Sequence, residues 1–511
     1  MKVRKGLLTG ILLFSAFSFR AQENFQFSYS GNNDEVMEWV IPANDGNLIL
    51  AGNTNSYDSG DGLIMKTDLN GNILWSRTIG GQFTDEIVRI IACNDGGYVA
   101  VGNTNSYGQG DKDAWVTRIT EDGMVDWSFC FGTYLFDAAR GVIQTKSGGL
   151  IVVGHEETFD VAFILALTSR GEIQWKREYF QDIVIWFNDV FEDEEGDLYF
   201  PGAINHNGFG IHDTFIMKTD SAGNFISCKY YGDYNNDSFR TIVPYLDGFL
   251  VVGDTWSYQT HQMGWVARLD SDLNIEKSVV VGNNDVNQYL ESACFISNEI
   301  FVDLKLTDGN SYIVELDSSL EFQQSWQFDA GYSSYSSHLI SQADSSIVFS
   351  GSITDDQTHH KDIFMAKFHP GDFTTDCNMI PHSTYIQQVE VQSADLATYE
   401  ITNNAVYELL SIESSPILLN PFNLCLNTST DDHFADQDLQ PEIRFYPNPA
   451  SGTVQINEVP VSIVFYNIFG SRVLKINPDD NSIDIGGLKP GVYITDLDFG
   501  IYIVRKRLVV Y

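Results

Sequence analysis

From about residue 35 to residue 368 the chain repeats one order of runs: an alternating one, two largely apolar ones, and an alternating one again. In the copy that starts at Glu86 they are Glu86–Ala92 (A), Tyr98–Gly102 (B), Ala114–Ile119 (C) and Val125–Phe131 (D). Alternation with period two predicts strands buried on one face, and continuous apolar runs predict strands buried on both. Asn94-Asp95-Gly96-Gly97 joins A to B and Glu121-Asp122-Gly123 joins C to D, both with turn chemistry.

The repeat has a fixed length. The glycine closing each B run falls at Gly52, Gly102, Gly154, Gly202, Gly253 and Gly351, with Asp303 in its place in a degenerate sixth copy, so successive steps are 50, 52, 48, 51, 50 and 48 residues. A turn glycine recurs at Gly71, Gly123, Gly171 and Gly223, and Trp75, Trp127 and Trp175 each follow one by four residues. Four short strands and their turns fill a period near 50, which is a β-propeller blade. Each tryptophan is expected to wedge between neighbouring blades. A runs starting near Glu35, Glu86, Asp137, Asn188, Ser238, Gln288 and Tyr335 count seven blades. The leading run Phe25–Ser30 has no A, B or C before it, and the last copy ends after Lys361–Phe368 without a D. Placing the leading run as the seventh D strand closes the ring.

The fold class expected is all-β: a seven-bladed propeller (24–369), a β-rich extension (370–426), an acidic linker (427–441) and a small C-terminal β-sandwich (442–511). Asp213-TFIMKTDSAG, Asp362-IFMAKF and Gly80-Gly81-QFT-Asp85 resemble the motifs of the seven-bladed β-propeller repeat family of secreted bacterial proteins. That resemblance speaks for fold, not for function.

The two ends read as addresses. Lys2, Arg4 and Lys5 precede an apolar run from Gly6 to Phe19, followed by Arg20-Ala21-Gln22. This is the pattern of a secretory signal peptide over 1–21, and too short for a membrane anchor. Near the other end, Tyr446-Pro447-Asn448-Pro449, the Gly470 turn, Leu488 to Tyr493 with Gly491, and the basic pair Lys506-Arg507 occur in order. In sequence and spacing they resemble the C-terminal sorting domain of cargo of the type IX secretion system of Bacteroidota. The resemblance implies recognition by that machinery, removal of the tail by a cell-surface peptidase, and a product either released or attached to the outer-membrane surface. An ordinary immunoglobulin-like module is the competing reading of the tail.

Composition narrows the partners. With 29 basic and 69 acidic residues, the net charge of −40 excludes a nucleic-acid binder. Of six cysteines, Cys377 and Cys425 flank the extension and are expected to staple it; Cys93, Cys130, Cys228 and Cys294 lie in apolar runs and read as buried thiols. Familiar catalytic motifs such as HExxH, GxSxG or a phosphate loop do not occur.

Strand alternation puts all D–A and B–C loops on one face, where Tyr57, Tyr107, Tyr134, His206, His212, Tyr234, Trp256, Tyr258, His261 and His359 gather. Aromatic faces stack on sugar rings and polar loops serve hydroxyls, so these residues are the candidate ligand site for a glycan or protein. The repeated Asp34, Asp85, Asp137 and Asp237 read as blade-tying acceptors. No cofactor or metal is expected, beyond weak calcium at Asp58, Asp61, Asp111 or Asp113. The expected function is a non-catalytic binding module; an extracellular polymer-degrading hydrolase or lyase using the same mouth is the alternative.

Overall fold

The computed structural model describes residues 24–56, 60–156, 161–180, 185–205, 212–282, 286–328, 333–354, 360–370, 379–382, 384–395, 399–401, 406–410, 414–416 and 420–423, and, in the tail, 445–451, 453–456, 459–467, 472–478, 480–489, 491–498 and 503–510. Residues 1–21, read above as a signal peptide, residues 427–441, read as a linker, and both Cys377 and Cys425 lie outside them.

Seven antiparallel sheets form the propeller, each ordered A-B-C-D. Blade 2 is Asp85–Ala92, Tyr98–Thr104, Asp113–Ile119 and Val125–Gly132. Blade 7 draws Ser333–Ser341, Ile347–Thr354 and Lys361–Phe368 from the end of the array and Phe25–Ser30 from its beginning. Phe25 pairs with Lys367 and Tyr29 with Ile363, so the leading strand closes the ring as the repeat count requires. B and C strands are buried on both faces, as their apolar runs predict.

Among its described residues the extension forms no sheet of its own. Its strands run backwards around the ring, and each adds a fifth strand to the outer edge of one blade. Met379–His382 pairs on blade 6, Tyr385–Gln388 on 5, Gln392–Asp395 on 4 and Tyr399–Ile401 on 3. Val406–Leu410 follows on blade 2, Ser414–Pro416 on 1 and Asn420–Asn423 on 7. This belt pairs D-strand edges that would otherwise present open N–H and C=O groups. Met379 and Asn423, at its two ends, sit on adjoining blades 6 and 7.

Neighbouring blades are locked at the rim by the turn glycines. Gly123 has φ +85°, and a Cβ there would meet the Trp75 ring at 2.9 Å. Gly171 stands likewise against Trp127, and Gly223 against Trp175. Only glycine satisfies both the left-handed backbone and the close approach. The adjacent D-strand tyrosines complete the lock: the hydroxyls of Tyr29, Tyr179 and Tyr231 donate to the carbonyls of Gly71, Gly223 and Leu273 at 2.7, 2.8 and 2.8 Å. Cys93, Cys130, Cys228 and Cys294 are buried, and burial raises the Cys93 thiol to about 11.

Residues 429–511 form a second compact unit. Its strands follow the order Arg472–Ile476, Ser462–Asn467, Gly491–Asp498, Ile503–Val510, Phe445–Ser451, Thr453–Ile456, Ser482–Asp484. Val454, Ile456, Ile463, Phe465, Ile483 and Leu497 fill its core.

Candidate functional site

One backbone irregularity recurs in the innermost strands and creates the centre of the propeller. In blade 1 the A–B register shifts between Met37 and Trp39, leaving Glu38 unpaired; the same bulge leaves out Val88 in blade 2, Arg140 in blade 3 and Arg240 in blade 5. A bulge bends the strand and re-aims one side chain, here toward the central channel. It also explains the recurring B-strand glycine. A Cβ on Gly52, Gly102 or Gly154 would run into the carbonyl oxygen of Val36, Glu86 or Ala138 at the bulge. In blade 6 Leu304 stands opposite Leu290 as Gly52 stands opposite Met37, so the glycine's place belongs to Leu304 and not to Asp303; the bulge there holds two residues, Glu291 and Ser292, across from Asp303. Its Oδ1 accepts from the N–H groups of Ser292 at 2.7 Å and Glu291 at 3.2 Å. The degenerate copy is therefore a capped, widened bulge.

The bulged side chains line a cavity of about 230 Å³ in which Glu38, Arg140, Arg240, Glu291 and Lys305 meet. One residue further along each inner strand lies a tighter layer. His338 stacks on Trp39 at 3.6 Å between ring centres, the Arg89 guanidinium lies 4.2 Å over the Trp39 ring, and Arg89 pairs with Asp189, which also accepts from Thr241 Oγ1 at 2.5 Å. Within the cavity Arg240 binds Asp254 at 2.8 Å and Glu291 at 3.2 Å. Arg140 has no ion pair among the described contacts; its Nε points at His155 Nδ1, 3.4 Å away. Burial, then the Arg140 charge, hold His155 down to about 3, and burial with Arg89 does the same to His338, so both rings are neutral near pH 7. Burial raises Glu38 to about 7. Sequence patterns did not single out these residues. The available signal was a charged residue three places after the first residue of the inner strand, at Glu38, Arg140, Arg240 and Glu291.

The loop face is held from beneath by buried acids. Asp85 accepts from the Gly81 N–H at 2.6 Å, from Ser106 Oγ at 2.7 Å and from Thr104 Oγ1. Asp237 repeats this with Asp233 N–H, Ser257 and Thr255, and Asp137 accepts from the Thr133 N–H. In blade 1 the position belongs to Glu35 and not to Asp34: Glu35 accepts from Gly31 N–H, Thr54 and Ser56. Asp34 accepts instead from the Lys361 N–H at 3.0 Å and faces His360, tying blade 1 to blade 7.

Asp137, Asp237 and Asp303 are at most 1% exposed, and burial raises each to about 7. The native state therefore holds protons that the unfolded chain has released, and stability should rise as pH falls from 8 to 6.5, together by about 2 kcal/mol. Below 6.5 the gain is opposed, because His155 and His338 cannot take up the protons that unfolded histidines accept. Melting temperature followed from pH 8 to 5.5 should rise and then level; a steady fall from pH 8 would contradict these assignments.

Of the predicted ligand residues, Tyr57, His206 and His359 lie outside the described residues. Tyr134 and Tyr234 stand out of the D–A loops, 69% and 68% exposed, and Phe83, not singled out by sequence, joins them at 53%. Tyr107 is half-buried with its hydroxyl 3.4 Å from the Gly80 carbonyl. Tyr258 packs beside Trp265, and burial raises its phenol. Trp256 and His261 are half-buried, the latter 3.1 Å from Thr260 Oγ1. His212 packs near Trp186, 5.6 Å between ring centres, and burial lowers its imidazole. No group of three metal-ligating side chains occurs among the described residues. In the tail, Tyr446 to Pro449 lie in the strand Phe445–Ser451, and Leu488 packs against the core. Gly491 and Tyr493 lie in Gly491–Asp498, the Tyr493 hydroxyl donating to the Lys489 carbonyl at 2.7 Å, and Lys506 pairs with Thr495. Gly470 is outside the described residues.

Residues 444–511 match the family described as the secretion system C-terminal sorting domain. No curated protein matches the chain. Similar solved structures include PorZ, a surface component of the type-IX secretion system of Porphyromonas gingivalis, at 12% identity over 94% of this chain and 60% of that one, with a TM-score of 0.35. The chain thus spans 60% of the length of that protein. A subtype N11 neuraminidase-like protein of A/flat-faced bat/Peru/033/2010 matches at 9% identity over 55% of this chain and 87% of its own, TM-score 0.37. The polysaccharide lyase Uly1 matches at 7% over 66% and 90%, TM-score 0.36.

Proposed function

We propose, for a chain that carries a type IX sorting domain and is addressed to the cell surface or beyond, that the propeller is a non-catalytic module binding an extracellular glycan on its loop face. The observation that carries this reading is the set Phe83, Tyr134 and Tyr234: large aromatic side chains exposed on loops whose backbones are pinned from below by Asp85, Asp137 and Asp237. A rigid, exposed ring loses little entropy on stacking against a sugar, and the flanking Asn235, Asn236 and Gln82 supply hydrogen-bonding groups suited to hydroxyls. The loop acids accept from backbone and hydroxyl donors of their own loops, which makes them scaffold and not general acid or base.

The test is a polysaccharide panel probed with the mature protein. Tyr134→Ala and Tyr234→Ala should each weaken binding about 5- to 10-fold, the size of one aromatic contact, with melting temperature unchanged because neither side chain is packed. Retention of full binding in the double variant would refute the assignment. Steady turnover of a bound polymer, lost on substitution of a mouth carboxylate, would replace it with the hydrolase or lyase reading.

A further inference from the structure

We propose that the central cavity is a second binding site, which takes the carboxylate of a small acidic ligand such as a sugar acid on the guanidinium of Arg140. The site differs from the loop-face aromatics, so either can fail without the other.

The argument starts from charge placement. In a chain of net charge −40, the bulged inner strands bring Arg140 and Arg240 to one cavity, and Lys305 enters it from the next strand of blade 6. Two guanidinium groups of the channel are satisfied by acids: Arg89 by Asp189, and Arg240 by Asp254 and Glu291. Arg140 is the exception. Among the described contacts its one polar partner is the neutral His155 ring, through Nε, and its surroundings include the like charge of Arg240. Glu291 acts on Arg140 only at longer range, since its carboxylate is bound to Arg240. The outer N–H groups of a guanidinium form the planar fork that carboxylates match. A cation enclosed by protein, reached by water and beside another cation is stabilised most by an incoming anion.

Size and shape limit the ligand. About 230 Å³ is below the usual range for drug-sized pockets and suits one sugar ring or a short organic acid. The layer of Trp39, His338, Arg89 and Asp189 lies next along the inner strands and closes the cavity beyond Arg140. Trp39 is the aromatic residue of the lining, and Tyr289, outside it, packs against Arg240 at 4.9 Å and Lys305 at 5.3 Å. Glu38 sets the pH response. The charges acting on it are Lys305, Glu291, Glu86 and Lys361. Charged, Glu38 repels an anion; protonated, it offers an O–H donor. Because it titrates near 7, anion binding should tighten as pH falls from 8 to 6, whereas His155 and His338 stay neutral throughout.

The experiment is calorimetric titration of the mature protein with glucuronate, galacturonate and N-acetylneuraminate, against neutral glucose and inorganic sulfate and phosphate. Saturable binding of at least one sugar acid, ten-fold or more weaker in Arg140→Gln and partly restored in Arg140→Lys, supports the site. Glu38→Gln should flatten the pH profile and improve binding at pH 8. Equal binding by wild type and Arg140→Gln overturns the proposal, as does equal affinity for glucose. Binding of sulfate or phosphate alone overturns the carboxylate assignment. Melting curves of each variant guard against a folding defect, and Arg140→Lys, which keeps the charge, decides the matter if Arg140→Gln unfolds.

Discussion

A mature chain lacking Phe25–Ser30 is expected to lose cooperative unfolding. This strand serves two ladders at once: Phe25 to Tyr29 pair with Lys367 to Ile363, and Phe27 to Ser30 pair with Asn423 to Asn420. Its loss leaves blade 7 with three strands of its own and the belt without its last anchor. Phe25 and Tyr29 are buried in the cluster that joins blades 7 and 1, and the Tyr29 hydroxyl bonds the Gly71 turn of blade 1. Each such side chain stabilises by roughly 1.5–3 kcal/mol and each ladder hydrogen bond by about 1. Together these approach the 5–15 kcal/mol that holds a typical domain folded. Calorimetry should show the main transition lowered by more than about 15 °C or abolished, with aggregates on size exclusion, and a peptide of residues 24–31 should restore part of it. Tyr29→Phe is the graded control, costing about 1–2 kcal/mol for the orphaned carbonyl. A monomeric truncation melting within a few degrees of the parent would disprove closure by the leading strand.

That closure was legible because it follows from counting. A period near 50 and a lone D run at the start leave one arrangement without a missing strand. The rim was legible for a similar reason: a turn glycine followed by tryptophan four residues later has one physical reading, a large ring against a Cβ-less turn, and Gly123 against Trp75 shows it. The belt was not legible. Its strands run only three to five residues, Ser414–Pro416 among them, too short for periodicity to register, and their pairing is set by edges far away in sequence. The channel was missed for another reason. A bulge interrupts alternation, so Arg140 and Arg240 fall where a pattern reader sees only a break in the strand. The visible hints were the charged residue three places into the inner strand and Asp303, which caps the wider bulge of blade 6 by accepting from the Glu291 N–H. At the loop face the residue types were right but their exposure was not readable: Tyr134 stands clear while Tyr258, in a similarly polar loop, is packed on Trp265.

Removing residues 429–511 should leave a folded propeller on the wrong side of the outer membrane. All described strand partners of the seven blades and the belt come from residues 25–423, so these ladders of the first unit do not depend on the second. The tail has its own core, built on Val454, Ile463, Phe465, Ile483 and Leu497, and its own seven-stranded order, as a segment gripped independently of its passenger requires. Because residues 444–511 match the sorting domain, export across the outer membrane is expected to fall by ten-fold or more on truncation, measured as the surface and medium fractions against the periplasmic fraction. The retained protein should melt within a few degrees of the full chain and keep its trypsin resistance, which separates a sorting defect from misfolding. A finer cut tests the tail's own packing. Leu497→Asp places an unpaired carboxylate in a fully buried position and should unfold the small unit alone. If recognition needs the folded sheet, this single change should retain the protein as fully as the deletion does. Normal delivery of the truncated chain would show that residues 444–511 do not carry the address.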